Sequence, residues 1–240
     1  MAIARARVIG NRWLAQIVPS FWLCGVLAFC AEAQSASGGA SAKVTCPPSR
    51  VDASKINDYR LRDSSDFMRF SIEDNWVNHT KPAIDRIRAG EYSHRVIADL
   101  DFTLRGWPNH PLALGALVDY IAGGGKLFEF PAAECYFLNA QRLYPDDPTV
   151  FMLEGRYYWK IRELEEARLA YLSALALNDS LVEVHYNLGL VYFDLKQMPL
   201  ALEHAKRAYA GGYPLPGLRR KLVEAGVWEE GSRAAGDNPQ

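Results

Sequence analysis

The sequence predicts an all-α fold, and three observations carry that prediction. A 34-residue recurrence runs through the second half: Ala133, Ala167 and Ala201 fall at equal steps, as do Phe137, Tyr171 and Ala205, and Ala140, Ala174 and Ala208. Two small-residue columns around a mostly aromatic one indicate one supersecondary unit stacked on copies of itself. Apolar residues recur at helical spacing, as in Leu181, Val184, Leu188, Val191 and Leu195. Pro82, Pro111, Pro131, Pro148 and Pro199 punctuate these runs, each suited to the first turn of a helix, where a missing N–H costs nothing. No stretch of alternating β-branched residues competes.

Residues 1–33 have the build of an export signal. Arg5, Arg7 and Arg12 form a positive start, Trp13 to Cys30 is an uncharged and mostly apolar run, and Ala31-Glu32-Ala33 suits cleavage ahead of Gln34. An uncleaved anchor is the alternative, because the run is near the lower length for spanning a bilayer. A lipid attachment at Cys30 fits poorly, since Phe29 stands where a small residue is wanted. Without residues 1–33, which hold three Arg and one Glu, 24 basic and 27 acidic side chains remain, a net charge of −3. That balance argues against a nucleic-acid partner. Export would also leave Cys46 and Cys135 as the remaining cysteines. In an oxidising compartment they can pair, or stay as free thiols, depending on a distance the sequence does not contain.

Residues 34–50 are rich in Ser, Ala, Gly and Pro and read as a flexible linker. Residues 51–76 carry Tyr59, Phe67, Phe70, Ile72 and Trp76 among many charges, which predicts a short helix packing onto the next unit. From residue 77 the pattern is helix, turn, helix. A diverged unit spans 77–110, with helices over Thr80–Ala89 and Ser93–Arg105 and a closing turn at Trp107-Pro108-Asn109-His110. Three further units follow at 111–147, 148–181 and 182–214. The step from Leu100 to Phe137 is 37 residues, and Gly123-Gly124-Gly125 is the natural place for the three extra residues, as a lengthened turn. Asp147 is an N-cap candidate, and Asn178-Asp179-Ser180 offers a choice of caps for the next helix. Gly211-Gly212 closes another by permitting positive φ. Residues 215–228 have the spacing of a terminal capping helix, and 229–240 read as a disordered tail.

The units can be set side by side. One holds Gly155 and Tyr158 in its first helix, then Ala167, Tyr171 and Ala174; the next holds Gly189 and Tyr192, then Ala201 and Ala208; the one before holds Ala133, Phe137, Ala140 and Pro145. This resembles the tetratricopeptide repeat (TPR), whose pattern is W-x2-L-G-x2-Y, A-x3-F and Pro over 34 residues. The resemblance covers roughly 77–228. It implies a short right-handed α-solenoid of three to four helix pairs with a C-terminal cap. Helix axes 8–10 Å apart leave no room for long side chains where they cross, which explains the small columns. Two departures stand out: Glu154 where Leu is usual, and Ala205 in place of the aromatic.

Such domains bind peptides along a concave groove lined by first helices. Carried across, the groove candidates are Met152, Arg156, Trp159, Lys160, Glu183, Tyr186, Asn187 and Phe193, with Asp119, Thr149, Leu153, Leu190 and Asp194 around them. Asn187 matches a family position that holds a ligand backbone, and its amide offers both donor and acceptor. For Trp159, Tyr186 and Phe193, burial against the neighbouring repeat competes with exposure in the groove. Asp119, Glu183 and Asp194 oppose an anion, so no carboxylate clamp is expected.

Chemistry finds little footing. His79, His94, His110, His185 and His204 are scattered, and neither H-E-x-x-H nor G-x-S-x-G occurs. His185 and His204 lie one hairpin apart and could meet, but a pair makes no metal site. Asp99 and Asp101 point to different helix faces and are a poor acid–base pair. The sequence therefore points to a non-enzymatic module without cofactor or metal, periplasmic or secreted, that binds a protein or peptide. The alternative is a structural subunit or anchored scaffold of an envelope assembly. Partner identity and oligomeric state are not written in the sequence.

Overall fold

The computed structural model describes residues 44–47 and 56–228, which belong to one of the chain's two compact units, Lys43–Gln240. The leader read at 1–33, most of the linker at 34–50 and the tail from 229 lie outside the described residues. Among those described, every regular element is a helix, and none is long and apolar enough to cross a membrane.

The first rod differs from the expectation. Helix α1 (Asp66–Asn75) runs through a π turn (Trp76–Thr80) directly into α2 (Lys81–Arg88), with αR backbone at both joints. The short helix and the first helix of the diverged unit are thus one continuous element. Pro82 cannot donate a hydrogen bond to the preceding turn, and the ladder widens just before it. The widened turn is held from outside: buried Thr80 donates to Asn75 Oδ1 at 2.9 Å, and Thr103 donates to the same oxygen at 3.0 Å. Helix α3 (His94–Gly106) packs back against this rod.

Three hairpins follow: α4 (Pro111–Ala122) with α5 (Ala133–Leu143), α6 (Pro148–Lys160) with α7 (Leu164–Leu177), and α8 (Val182–Asp194) with α9 (Met198–Ala210). Helix α10 (Gly217–Glu224) covers the last pair. The all-α stack of helix pairs agrees with the repeat reading. Two turn details do not. The connection from α4 to α5 occupies residues 123–132, so Pro131 lies outside α5 rather than in its first turn. The triplet does form the turn, with Gly124 at φ +89° and Cβ positions on Gly123 and Gly125 that would strike the rings of Tyr92 and Tyr120. None of Asn178, Asp179 or Ser180 caps α8; Asn178 Oδ1 instead accepts from Ser180 N at 3.0 Å and closes the loop.

Packing follows the small columns. A Cβ on Gly155 would lie 2.8 Å from the ring of Tyr171, so the missing side chain is what lets α6 and α7 touch. The gap beside Ala205 is filled from α10: Leu218 is fully buried, and a Cβ on Gly189 would lie 2.5 Å from its Cδ2 and 3.5 Å from Ala205 N. Met152 and Tyr158 on α6 pack against the core of both halves, which makes the interior continuous along the stack.

The N-terminal segment is fastened to these repeats. Buried Asn109 accepts from Tyr59 N (2.9 Å) and donates to Asp58 Oδ1 (2.8 Å) and Asp147 Oδ2 (2.9 Å). Asp147 meanwhile caps α6 by accepting from Thr149 N at 3.0 Å. Cys46 is bonded to Cys135 of α5, with Cα atoms 5.3 Å apart.

Candidate functional site: a trough across the first helices

The first helices α2, α4 and α6 enclose a trough of about 270 Å³. Its floor is α4, where Gly115 and Ala116 carry almost no side chain. A Cβ on Gly115 would meet Arg156 and Leu153 only at 3.8–3.9 Å, so the open space results from small residues rather than from a backbone collision. Ile84, Ile87 and Arg88 of α2 form one wall, and Met152 and Arg156 of α6 form the other. At one end Arg156 is ion-paired with Asp119. Arg88 is 78% exposed, and its nearest acid, Asp85, lies at 3.8 Å. The trough therefore offers an apolar floor, one closed charge pair and one extended cation.

The structure divides the groove candidates. Met152 and Arg156 line the trough. Trp159 is half-buried, and its Nε1 donates to Asp194 Oδ2 at 3.0 Å, which also receives Arg162 Nη1 at 2.8 Å. Lys160 lies over the Trp159 ring at 5.5 Å, and Lys196 and Lys221 lie 5.7 and 5.2 Å from the ring centre of Phe193. Glu183 is exposed, and Asn187 is half-buried with no hydrogen-bond partner among the described residues. These two stand on α8, outside the trough.

Tyr186 is a correction. It is 7% exposed, its ring centre lies 4.4 Å from that of Tyr213, and a Cβ on Gly217 would lie 2.9 Å from its hydroxyl. Helix α10 and the Tyr213 turn cover the face on which it stands, so Tyr186 belongs to the core and not to an open groove. The α2 wall was missed in the other direction. Its signal was present, since Ala83, Ile84 and Ile87 share one helical face, but the weak match of that unit to the repeat pattern hid it.

Other polar groups are engaged structurally. His79 and Arg86 hold Asp99, whereas Tyr136 and Arg105 hold Asp101, so the two carboxylates serve different contacts. His185 and His204 do meet, Nδ1 to Nδ1 at 2.9 Å. His110 accepts from Ala113 N through Nδ1 and caps α4, and burial pushes its pKa down to about 4. Burial raises Glu154 to about 7, against a hydrogen bond from Gln141 at 2.5 Å that favours the ionised form. Among the described residues no group of three or more His, Cys, Asp or Glu is placed to hold a metal.

Residues 155–196 match a family model described as TPR repeat. The match begins at the glycine that admits Tyr171 and ends just past α8. Hairpins of the same build lie before and after it. The chain thus carries a tetratricopeptide repeat over residues 155–196, a repeat of protein–protein interaction modules.

Proposed function

We propose that the chain is an exported, non-enzymatic adaptor that receives a segment of a partner protein in the trough between α2, α4 and α6. The trough over Gly115 and Ala116 carries this reading. Its volume lies just below that of ligand-sized pockets, which suits one or two apolar side chains of a peptide better than a substrate. Arg88 at the rim and the free amide of Asn187 farther along supply polar contacts for the rest of the segment. Export is supported by the Cys46–Cys135 bond, because disulfides persist in oxidising compartments, and by the leader-like first 33 residues.

Cross-linking in the envelope fraction with wild-type chain and with Leu112→Asp/Met152→Asp, which changes one trough-lining residue on α4 and one on α6, tests the site. Loss of captured partners with unchanged helicity is the expected result. A double variant that retains every partner removes the trough from the reading. Mass spectrometry of the mature N-terminus tests export separately, with a start at Gln34 expected. An intact residue 1 would favour an anchored scaffold instead.

A further inference from the structure

A second cavity, of about 720 Å³, lies between the second helices α3 and α5, with Thr45–Pro47 as one wall. That wall makes no hydrogen bond to another described residue and is held in place by the Cys46–Cys135 bond. The volume falls within the range of small-molecule sites, which are typically apolar with a few placed polar groups. Leu104 and Phe130 supply apolar lining.

The charges around this cavity are unevenly satisfied. Asp101 accepts from the Tyr136 hydroxyl at 2.8 Å and lies 3.0 Å from Arg105 Nε. Burial and then the Asp101 charge raise the Tyr136 pKa, which keeps that phenol a donor. Glu129 lies 2.7 Å from His94 Nε2. The acids on the lining are therefore already partnered. Arg142 is different: its guanidinium donates to Asn139 Oδ1 at 3.1 Å and has no carboxylate within ion-pair distance among the described residues. Arg105 approaches Asp101 through Nε, and its terminal nitrogens make no hydrogen bond to a side chain or backbone among the described residues.

We propose that this cavity binds a small amphipathic carboxylate, its apolar body over Leu104 and Phe130 and its head at Arg142, which shares the lining with Arg105. A guanidinium takes a carboxylate through two parallel hydrogen bonds, a geometry a neutral head cannot reproduce. The site is separate from the trough, and its existence does not rest on the partner reading.

Calorimetry of the full chain with octanoate and with its neutral counterpart octanamide tests the proposal. Octanoate should bind saturably, one per chain, and octanamide at least about tenfold more weakly. Arg142→Ala should weaken octanoate by a similar factor, Arg142→Lys should retain part of it, and Arg88→Ala in the trough should leave it unchanged. Circular dichroism confirms that each variant is folded. Absence of saturable octanoate binding by the wild-type chain overturns the proposal. So do equal binding of octanamide, undiminished binding by Arg142→Ala, or a loss caused by Arg88→Ala instead.

Discussion

His204 donates a hydrogen bond through Nδ1 to Nδ1 of His185 across 2.9 Å, between two buried rings on α8 and α9. The tautomers follow from the neighbours. His185 Nε2 lies 2.9 Å from the Asp179 carbonyl, which can only accept, so Nε2 carries a proton and Nδ1 is left to accept from His204. Burial first, and the adjacent His185 second, push His204 down to about 4. The folded state thus binds this proton less readily than the unfolded chain does. The stability contribution is complete above pH 6.5, the unfolded value, and is lost as pH falls from there toward 4. Urea midpoints measured across pH 4–7.5 should fall on acidification, and His204→Gln should flatten the slope. An unchanged slope in that variant would remove the pair as its source. His110 has the same sign and leaves a residual slope.

Glu154 works in the opposite direction. Its folded pKa of about 7 is above the ordinary carboxylate value, so its contribution is present below about 4.5 and lost as pH rises through 7. Glu154→Gln keeps the shape and cannot ionise. That variant should be more stable than wild type at pH 8, by about 1–3 kcal/mol, and equal to it at pH 4. Equal stability at both values would contradict the burial argument.

Gly155 and Tyr171 meet closely between α6 and α7. Ala in a helix interior is ordinarily about 1 kcal/mol better than Gly. Here its methyl meets the aromatic ring at 2.8 Å, and overpacking of this kind costs about 1–3 kcal/mol. Gly155→Ala should therefore lower the thermal midpoint. Adding Tyr171→Leu should change the sign of the alanine effect in a double-mutant cycle.

The Cys46–Cys135 bond closes a separation of 89 residues. Chain-entropy arithmetic for such a loop places its contribution at no more than about 5 kcal/mol. Cys46→Ser should lower the denaturant midpoint under oxidising conditions and match wild type after reduction. For a chain beginning at Gln34, thiol titration in denaturant should find free thiols only after reduction.

How much was legible in the sequence can be seen from particular residues. Ala133, Ala167 and Ala201 announced the stacked hairpins because the repeat is encoded by spacing within each unit, and Pro111 and Pro148 marked helix starts for the same local reason. The continuous rod from Asp66 to Arg88 was not legible. Pro82 and the charged stretch before it resemble a boundary, and only buried contacts between Asn75, Thr80 and Thr103 carry the helix through. The trough was half legible: Met152 and Arg156 followed from the family pattern, whereas Ile84, Ile87 and Arg88 sat in a unit that matches it weakly.

By itself the sequence determined the helical period and the small contact columns. Tertiary structure alone decided that Tyr186 is roofed by α10, that Asn109 ties the N-terminal segment to two inter-repeat turns, and that Cys46 reaches Cys135. The physical reason is range. Helix propensity and periodicity act over a few residues, and those are written consecutively. Which face stays open depends on segments far apart in the chain, and their approach is settled only when the whole stack buries its apolar surface together.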